Sequence, residues 1–251
     1  MKTMHLQTPR TTGLTLFLFG LLGVASLLTV QFPLTNLPKA VLKQFSPAEL
    51  QWLILVNPLL LLVIAVIVGS LLYRKVGLSI FHSGDFRRAT IGQNLLVKGI
   101  VPGVFAGLSI IGVVLVFQAL IPDELAQLGT ETKLTVAARF LYGGVTEEIM
   151  LRFGLMTLFV WLLSVILRTQ HPAVYWIAIV GAALLFGAGH LTALNLMVAQ
   201  PSPTLVVYIV LANALAGVVF GWVYWRHGLV FAMIAHAVAH VVMLLSEFIN
   251  H

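Results

Sequence analysis

The chain has 251 residues, is 60% hydrophobic and only 9% charged, and has a mean hydropathy of +1.04. Those values exclude a soluble globular domain and define an all-α, polytopic transmembrane helical bundle. The lack of cysteine removes disulfides, thiol nucleophiles and thiolate metal sites, and the net charge of +6 does not signal nucleic acid, because no basic cluster stands beside aromatics in a soluble segment.

Seven apolar stretches are long enough to span a bilayer, near 13–32, 51–73, 97–120, 134–167, 174–199, 205–225 and 228–249. A span needs about 20 residues at roughly 1.5 Å rise each. The first stretch follows Lys2 and Arg10 and lacks a small-residue cleavage site, so it reads as a retained signal anchor. Stretch 76–95 reads as a loop with interfacial helix character, and 121–133 and 33–50 as loops. The fourth span gives eight spans if it divides at Gly143-Gly144. One long helix is preferred, because seven spans sort the positive residues. Lys2, Arg10, Arg74, Lys75, Arg87, Arg88, Arg168 and Arg226 then fall at one end of the bundle. At the other end, loop 121–133 is net acidic, loop 193–204 is uncharged, and loop 33–50, with Lys39, Lys43 and Glu49, fits least well. The positive-inside rule then puts the N-terminus in the cytoplasm. Residues 1–94 read as an anchoring region and 95–251 as the functional core.

Ionisable residues inside spans are costly and mark function. Arg139, Glu147, Glu148, Arg152, His190, His236 and His240 all lie in the last four long segments, and the first three spans carry none away from their ends, Lys98 standing at the start of the third. Glu147 and Glu148, His190, and the His236–His240 pair sit near the middle of three different spans. Their common depth predicts one shared, water-accessible cavity. Glu148 and Arg152 are four residues apart and can pair along the helix. Glu147, about 100° away, is left without a partner on its own helix, a state suited to a general base. His236 and His240 share a helix face. Arg139 reads as a snorkelling residue near a helix end. His5, His171, His227 and His251 fall at loops or ends and read as incidental. Gly181, Gly187 and Gly189 around His190 allow close helix approach.

The residues exclude several protease chemistries. A H-E-x-x-H zinc site needs Glu beside the first His, where "HAVAH" has Ala237. An aspartyl pair is missing, since Asp85 and Asp123 lie in loops. Ser70 and Ser109 have no His or Lys nearby in the chain. A Glu/His set remains, and it can activate water: Glu147 with His190 as base, His236 and His240 as oxyanion donors. The alternative is a Zn²⁺ held by His190, His236 and His240, with one open position and Glu147 as base. A proton or ion transporter also gathers such residues at midplane, although no inverted repeat is visible. A catalytically silent scaffold or immunity factor is the other rival.

"EEIMLR" (147–152) fits E-E-x-x-x-R, "FGAGH" (186–190) fits F-x-x-x-H, and "HAVAH" (236–240) fits H-x-x-x-polar. In this order on successive spans, over roughly 95–248, they resemble the CAAX-processing and bacteriocin-processing (CPBP, or Abi) family of intramembrane endopeptidases. That family includes the type II CAAX prenyl endopeptidases. The resemblance implies Glu147 as catalytic base, Glu148 and Arg152 as its support, and His190 sharing the water. It implies His236 and His240 at the oxyanion. Family members often have Asn at the last position, where this chain has His240. The implied partners are the lipid bilayer and a membrane-associated peptide or protein. Short loops and compact size point to a prokaryotic cytoplasmic membrane, where a leader, signalling or bacteriocin peptide is the expected substrate.

Overall fold

The computed structural model describes residues 9–31, 37, 39–82, 85–131 and 134–249. Lys2, His5 and His251, named above, lie outside these. Among the described residues the chain is helical with no strand. Among the described residues seven helices are long and apolar enough to cross a membrane: Thr11–Thr29, Pro47–Val76, Ile91–Gln118, Ala138–Leu167, Pro172–Met197, Pro203–His227 and Leu229–Ile249. The fourth is continuous through Gly143-Gly144. A ring of half-exposed apolar side chains covers the outside, including Leu60, Ile67, Leu71, Phe105 and Leu115. Such a surface is unfavourable in water and suited to lipid.

The fourth span is the hub. It packs against the first, second, fifth, sixth and seventh spans, while the third packs on the sixth and seventh. The core around it is built from Ile149, Phe153 and Met156 of the fourth span, Leu62 of the second, Phe220 and Tyr224 of the sixth and Phe231 of the seventh. The Thr146 hydroxyl donates to the Gly20 carbonyl at 2.8 Å, tying the first span to the same hub.

Four local features depart from the sequence reading. First, the fourth span is not uniformly α-helical. Ala138–Glu147 and Ile149–Met156 are π-helical, so the spacing of side chains around the axis differs from the 100° step of an α-helix. Wide turns of this kind are rare and concentrate at functional sites. Second, part of loop 121–133 is the helix Pro122–Glu131. Pro122 at its start and Asp123 and Glu124 in its first turn favour a helix N-terminus. Leu125 packs against the third, fifth and sixth spans and Leu128 against the fifth and sixth. The Ser202 hydroxyl, at the start of the sixth span, donates to Glu124 Oε2 at 2.7 Å. Two more short helices, Lys39–Gln44 and Pro47–Leu53, occupy loop 33–50, the second continuing into the second span. His171 is not idle: its Nδ1 accepts from the Ala173 amide at 3.2 Å and caps the fifth span.

The loop after the second span folds back on the start of the seventh. Leu229 and Val230 donate their amides to the Ser79 and Ile80 carbonyls at 3.1 and 3.0 Å, satisfying groups every helix start leaves open. Gly228 permits the turn with φ of 97° and no Cβ to meet the Ile80 carbonyl. Phe86 stacks on Phe231 with centroids 5.7 Å apart. Between them the loop holds Asp85, whose carboxylate is buried. It accepts from Lys98 Nζ at 2.6 Å and from the His82 amide at 2.8 Å. Burial alone raises the Asp85 pKa, but these donors and the charges of Lys98 and His82 outweigh it and hold the carboxyl below its usual value. A carboxyl lowered in the folded state adds stability above its unfolded pKa of about 3.9. That stability is lost as pH falls through the folded value. The expected outcome is a lower melting temperature for Asp85→Asn in detergent, with a constant gap from wild type above about pH 5. The gap should narrow as wild type is acidified below about pH 4.

Candidate active site

The fourth, fifth, sixth and seventh spans bring their polar residues to one place. Glu148 is fully buried, and its Oε1 is the meeting point. Arg152 Nη1 lies 3.2 Å from it and His236 Nδ1 2.8 Å. Since an ionised carboxylate only accepts, Nδ1–H of His236 is the donor. Arg152 also donates through Nη2 to the Gly217 carbonyl of the sixth span at 3.1 Å. Its guanidinium lies over the Phe186 and Phe220 rings at 4.9 and 5.4 Å, a favourable setting for a desolvated cation. Phe220 also stacks on His236 at 4.5 Å, and His236 on His240 at 4.9 Å with rings 20° apart. The stack fixes the imidazole that Glu148 holds from below.

Glu147 takes the other role. It makes no contact closer than the 4.0 Å between its Oε2 and His236 Nε2 among the ion pairs of the site, and it opens onto the cavity. His190 Nδ1 lies 2.9 Å from the Phe186 carbonyl of its own helix. A carbonyl can only accept, so Nδ1 carries the proton and Nε2 of the neutral ring is a free acceptor. Glu147, His190, His236 and His240 line one cavity of about 560 Å³. A second cavity of about 440 Å³ shares Glu147, His190, Tyr142 and Asn57 with the first. It is walled by Leu61 and Ile64 of the second span and Leu185 of the fifth, each about half exposed on the lipid side of the bundle. Water and an apolar chain can therefore both reach Glu147.

His240 Nδ1 and Nε2 are both buried without a hydrogen-bond partner. Gly143 makes its place, since a Cβ there would stand 2.6 Å from His240 Nε2. All six residues expected at the site, Glu147, Glu148, Arg152, His190, His236 and His240, are thus brought to one region. Arg139 differs from expectation. It does not snorkel to water: its side chain is 13% exposed, lines the larger cavity and pairs with Glu247. Asn57, Tyr142 and Asn213 also line the cavity. Sequence reasoning passed over them because uncharged polar residues in apolar spans are common.

The three-histidine zinc site does not fit this arrangement. Among the described residues no group of three or more His, Cys, Asp or Glu is placed to hold a metal ion.

Residues 130–242, somewhat less than half of the chain, match the model of a family described as Type II CAAX prenyl endopeptidase Rce1-like. This is the family group that the three motifs resemble, and the matched region holds all six site residues. By that match residues 130–242 are similar to the Rce1-like endopeptidases. No curated protein and no solved structure gives a significant match to the chain.

The buried Glu148–Arg152 pair makes a direct prediction. Arg152→Met leaves a buried carboxylate without its cation and should cost about 3–5 kcal/mol. Adding Glu148→Gln should restore a large part of that loss. Thermal unfolding of the two variants beside wild type in one detergent measures both.

Proposed function

We propose that the chain is an intramembrane endopeptidase that hydrolyses a peptide bond in a membrane-associated peptide or protein, with a glutamate–histidine pair activating water. The observation that carries this reading is the convergence of three motifs from separate spans on one cavity, inside the region that matches the protease family. In this reading residues 95–251 carry the chemistry, and residues 1–94 supply the anchor and part of the cavity wall.

Glu147 and His190 hold a water between them. Glu147 takes one proton as the water oxygen attacks the scissile carbonyl carbon. The carbonyl oxygen becomes an oxyanion, and His240 donates an N–H to it. His236 in its protonated state donates from Nε2 while Nδ1–H stays on Glu148. As the tetrahedral adduct collapses, the C–N bond breaks and Glu147 passes its proton to the leaving amine. The products are a carboxylic acid and an amine, and no other reactant is needed. Glu148 and Arg152 touch no substrate here. They position His236.

The charge pattern supports an N-terminus in the cytoplasm, since Arg74, Lys75, Arg87, Arg88, Arg168 and Arg226 stand at one end of the bundle. The apolar wall of the smaller cavity supports a substrate that arrives from lipid. In a prokaryotic membrane that substrate is a leader, signalling or bacteriocin peptide.

The test is cleavage of a membrane-peptide library by purified protein in nanodiscs, with metal content measured on the same sample. Glu147→Gln should lower the rate by about 10²–10⁴-fold with an unchanged melting temperature. His190→Ala should do so comparably. Cleavage that survives Glu147→Gln, or Glu147-dependent ion flux without any cleavage, would overturn the reading.

A further inference from the structure

Asn57, Tyr142, Glu147 and His190 line both cavities, so they stand where the lipid-side cavity meets the catalytic one. Glu147 and His190 are occupied with water. Asn57 and Tyr142 are left unused by that chemistry. Among the described residues neither makes a hydrogen bond within the protein, and neither is closed off from the cavities. Asn57 is the one polar side chain from 53 to 69 of the second span, and it lies outside the matched region 130–242. The backbone is broken beside it. The helix ends at Leu53 and resumes at Val56, and Pro58 has no N–H to offer the Ile54 carbonyl. Among the described residues no backbone amide reaches that carbonyl, and Ile54 lines the larger cavity. Interrupted backbone at membrane depth is tolerated where it borders a cavity rather than lipid. Tyr142 reaches the same junction through the π-helix Ala138–Glu147. Residues five apart are hydrogen-bonded neighbours in such a turn, so Tyr142 and Glu147 share a side. An α-helix would turn them about 140° apart.

We propose that Asn57 and Tyr142 bind the backbone of the substrate where it passes from one cavity to the other. The Asn57 carboxamide accepts from the N–H and donates to the C=O of one substrate residue, and the Tyr142 hydroxyl donates to a neighbouring carbonyl. The proposal rests on the protease reading and names what the entrance to its site selects. A peptide must be extended to present a bond for hydrolysis, and extension strips its backbone groups of their helical partners. In an apolar cavity each such group left unpaired is costly. A carboxamide is the side chain that offers a donor and an acceptor together, and a tyrosine hydroxyl adds one more donor. The second span thereby does more than anchor the chain: it supplies a polar contact that the motif-bearing spans lack at this wall. Because the contact is to backbone, it tolerates many side chains. It rejects a residue without an N–H, proline or an N-methyl amino acid, at the one position that Asn57 holds.

The test is binding, kept apart from turnover by working in the Glu147→Gln background in nanodiscs. The probes are one fluorescent apolar decapeptide and the set of its variants that carry a single N-methyl group, one at each backbone N–H in turn. N-methylation at one position should weaken binding by about two- to tenfold, the scale of a neutral hydrogen bond. Asn57→Leu, close to asparagine in size, should weaken the parent peptide by a similar factor and erase the penalty at that position. Penalties at other positions should persist, a selectivity that a merely structural asparagine would not produce. Tyr142→Phe should weaken the parent peptide by about two- to tenfold while keeping the Asn57-dependent position. Both variants should melt with the parent protein, since each removes a polar group that has no partner in it. Equal N-methyl penalties with and without Asn57, unchanged affinity in either variant, or no binding of any probe would overturn the proposal. The protease reading is judged separately, by Glu147-dependent cleavage in the otherwise unaltered protein.

Discussion

The Glu148 carboxylate is the point on which the site rests. It is fully buried in an apolar bundle, and one of its oxygens faces both Arg152 and His236. A charge in that environment is tolerable only with a close partner of opposite sign and good hydrogen-bonding geometry. Arg152 supplies the charge, and its own cost is lowered by the Gly217 carbonyl and by the two phenyl faces on either side. Because the same oxygen also holds His236, the demands of burial lock the fourth, sixth and seventh spans at one relative position. The ring that reaches the cavity is thereby aimed without being exposed.

Two kinds of polar group result. Glu148 through Oε1 and Arg152 through Nη2 are held by protein and face inward, with Glu148 Oε2 and Arg152 Nη1 buried beside them without a hydrogen-bond partner. Glu147, His190 and His240 retain unmatched hydrogen-bonding capacity and face, or border, open space. Lipid provides no partner for such groups, so their capacity is available to water and to a peptide backbone drawn from the bilayer. The same division recurs at the end of the cavity, where a covered guanidinium is held by a carboxylate that reaches solvent. Adjacent glutamates on one helix come to play opposite parts because one faces a partner helix and the other faces the void.

Legibility followed the chemistry of each residue. Seven spans were readable because a run of about 20 apolar residues has few alternatives to crossing a bilayer. The six site residues were readable because ionisable side chains stand out in such runs. Arg139 stood out equally but was assigned to the wrong surroundings. Its partner Glu247 is 108 residues away, and no local spacing announces that contact. The helix Pro122–Glu131 was hidden by its polarity: only two of its leucines bury a face, so composition resembled a loop. The π-helical turns from Ala138 to Met156 had no sequence signal at all.

The sequence by itself determined the class of fold, the three spans whose motifs meet at the cavity and the residue types found there. Hydrophobicity and charge act residue by residue, and lipid enforces them strongly. Tertiary structure alone decided which glutamate is buried and which is open. It also decided that His236 stacks on His240, and that Asn57 from the second span shares the wall with His190 from the fifth. Those outcomes depend on how helices far apart in the chain pack and rotate against one another, which is a property of the assembled bundle and not of any one segment.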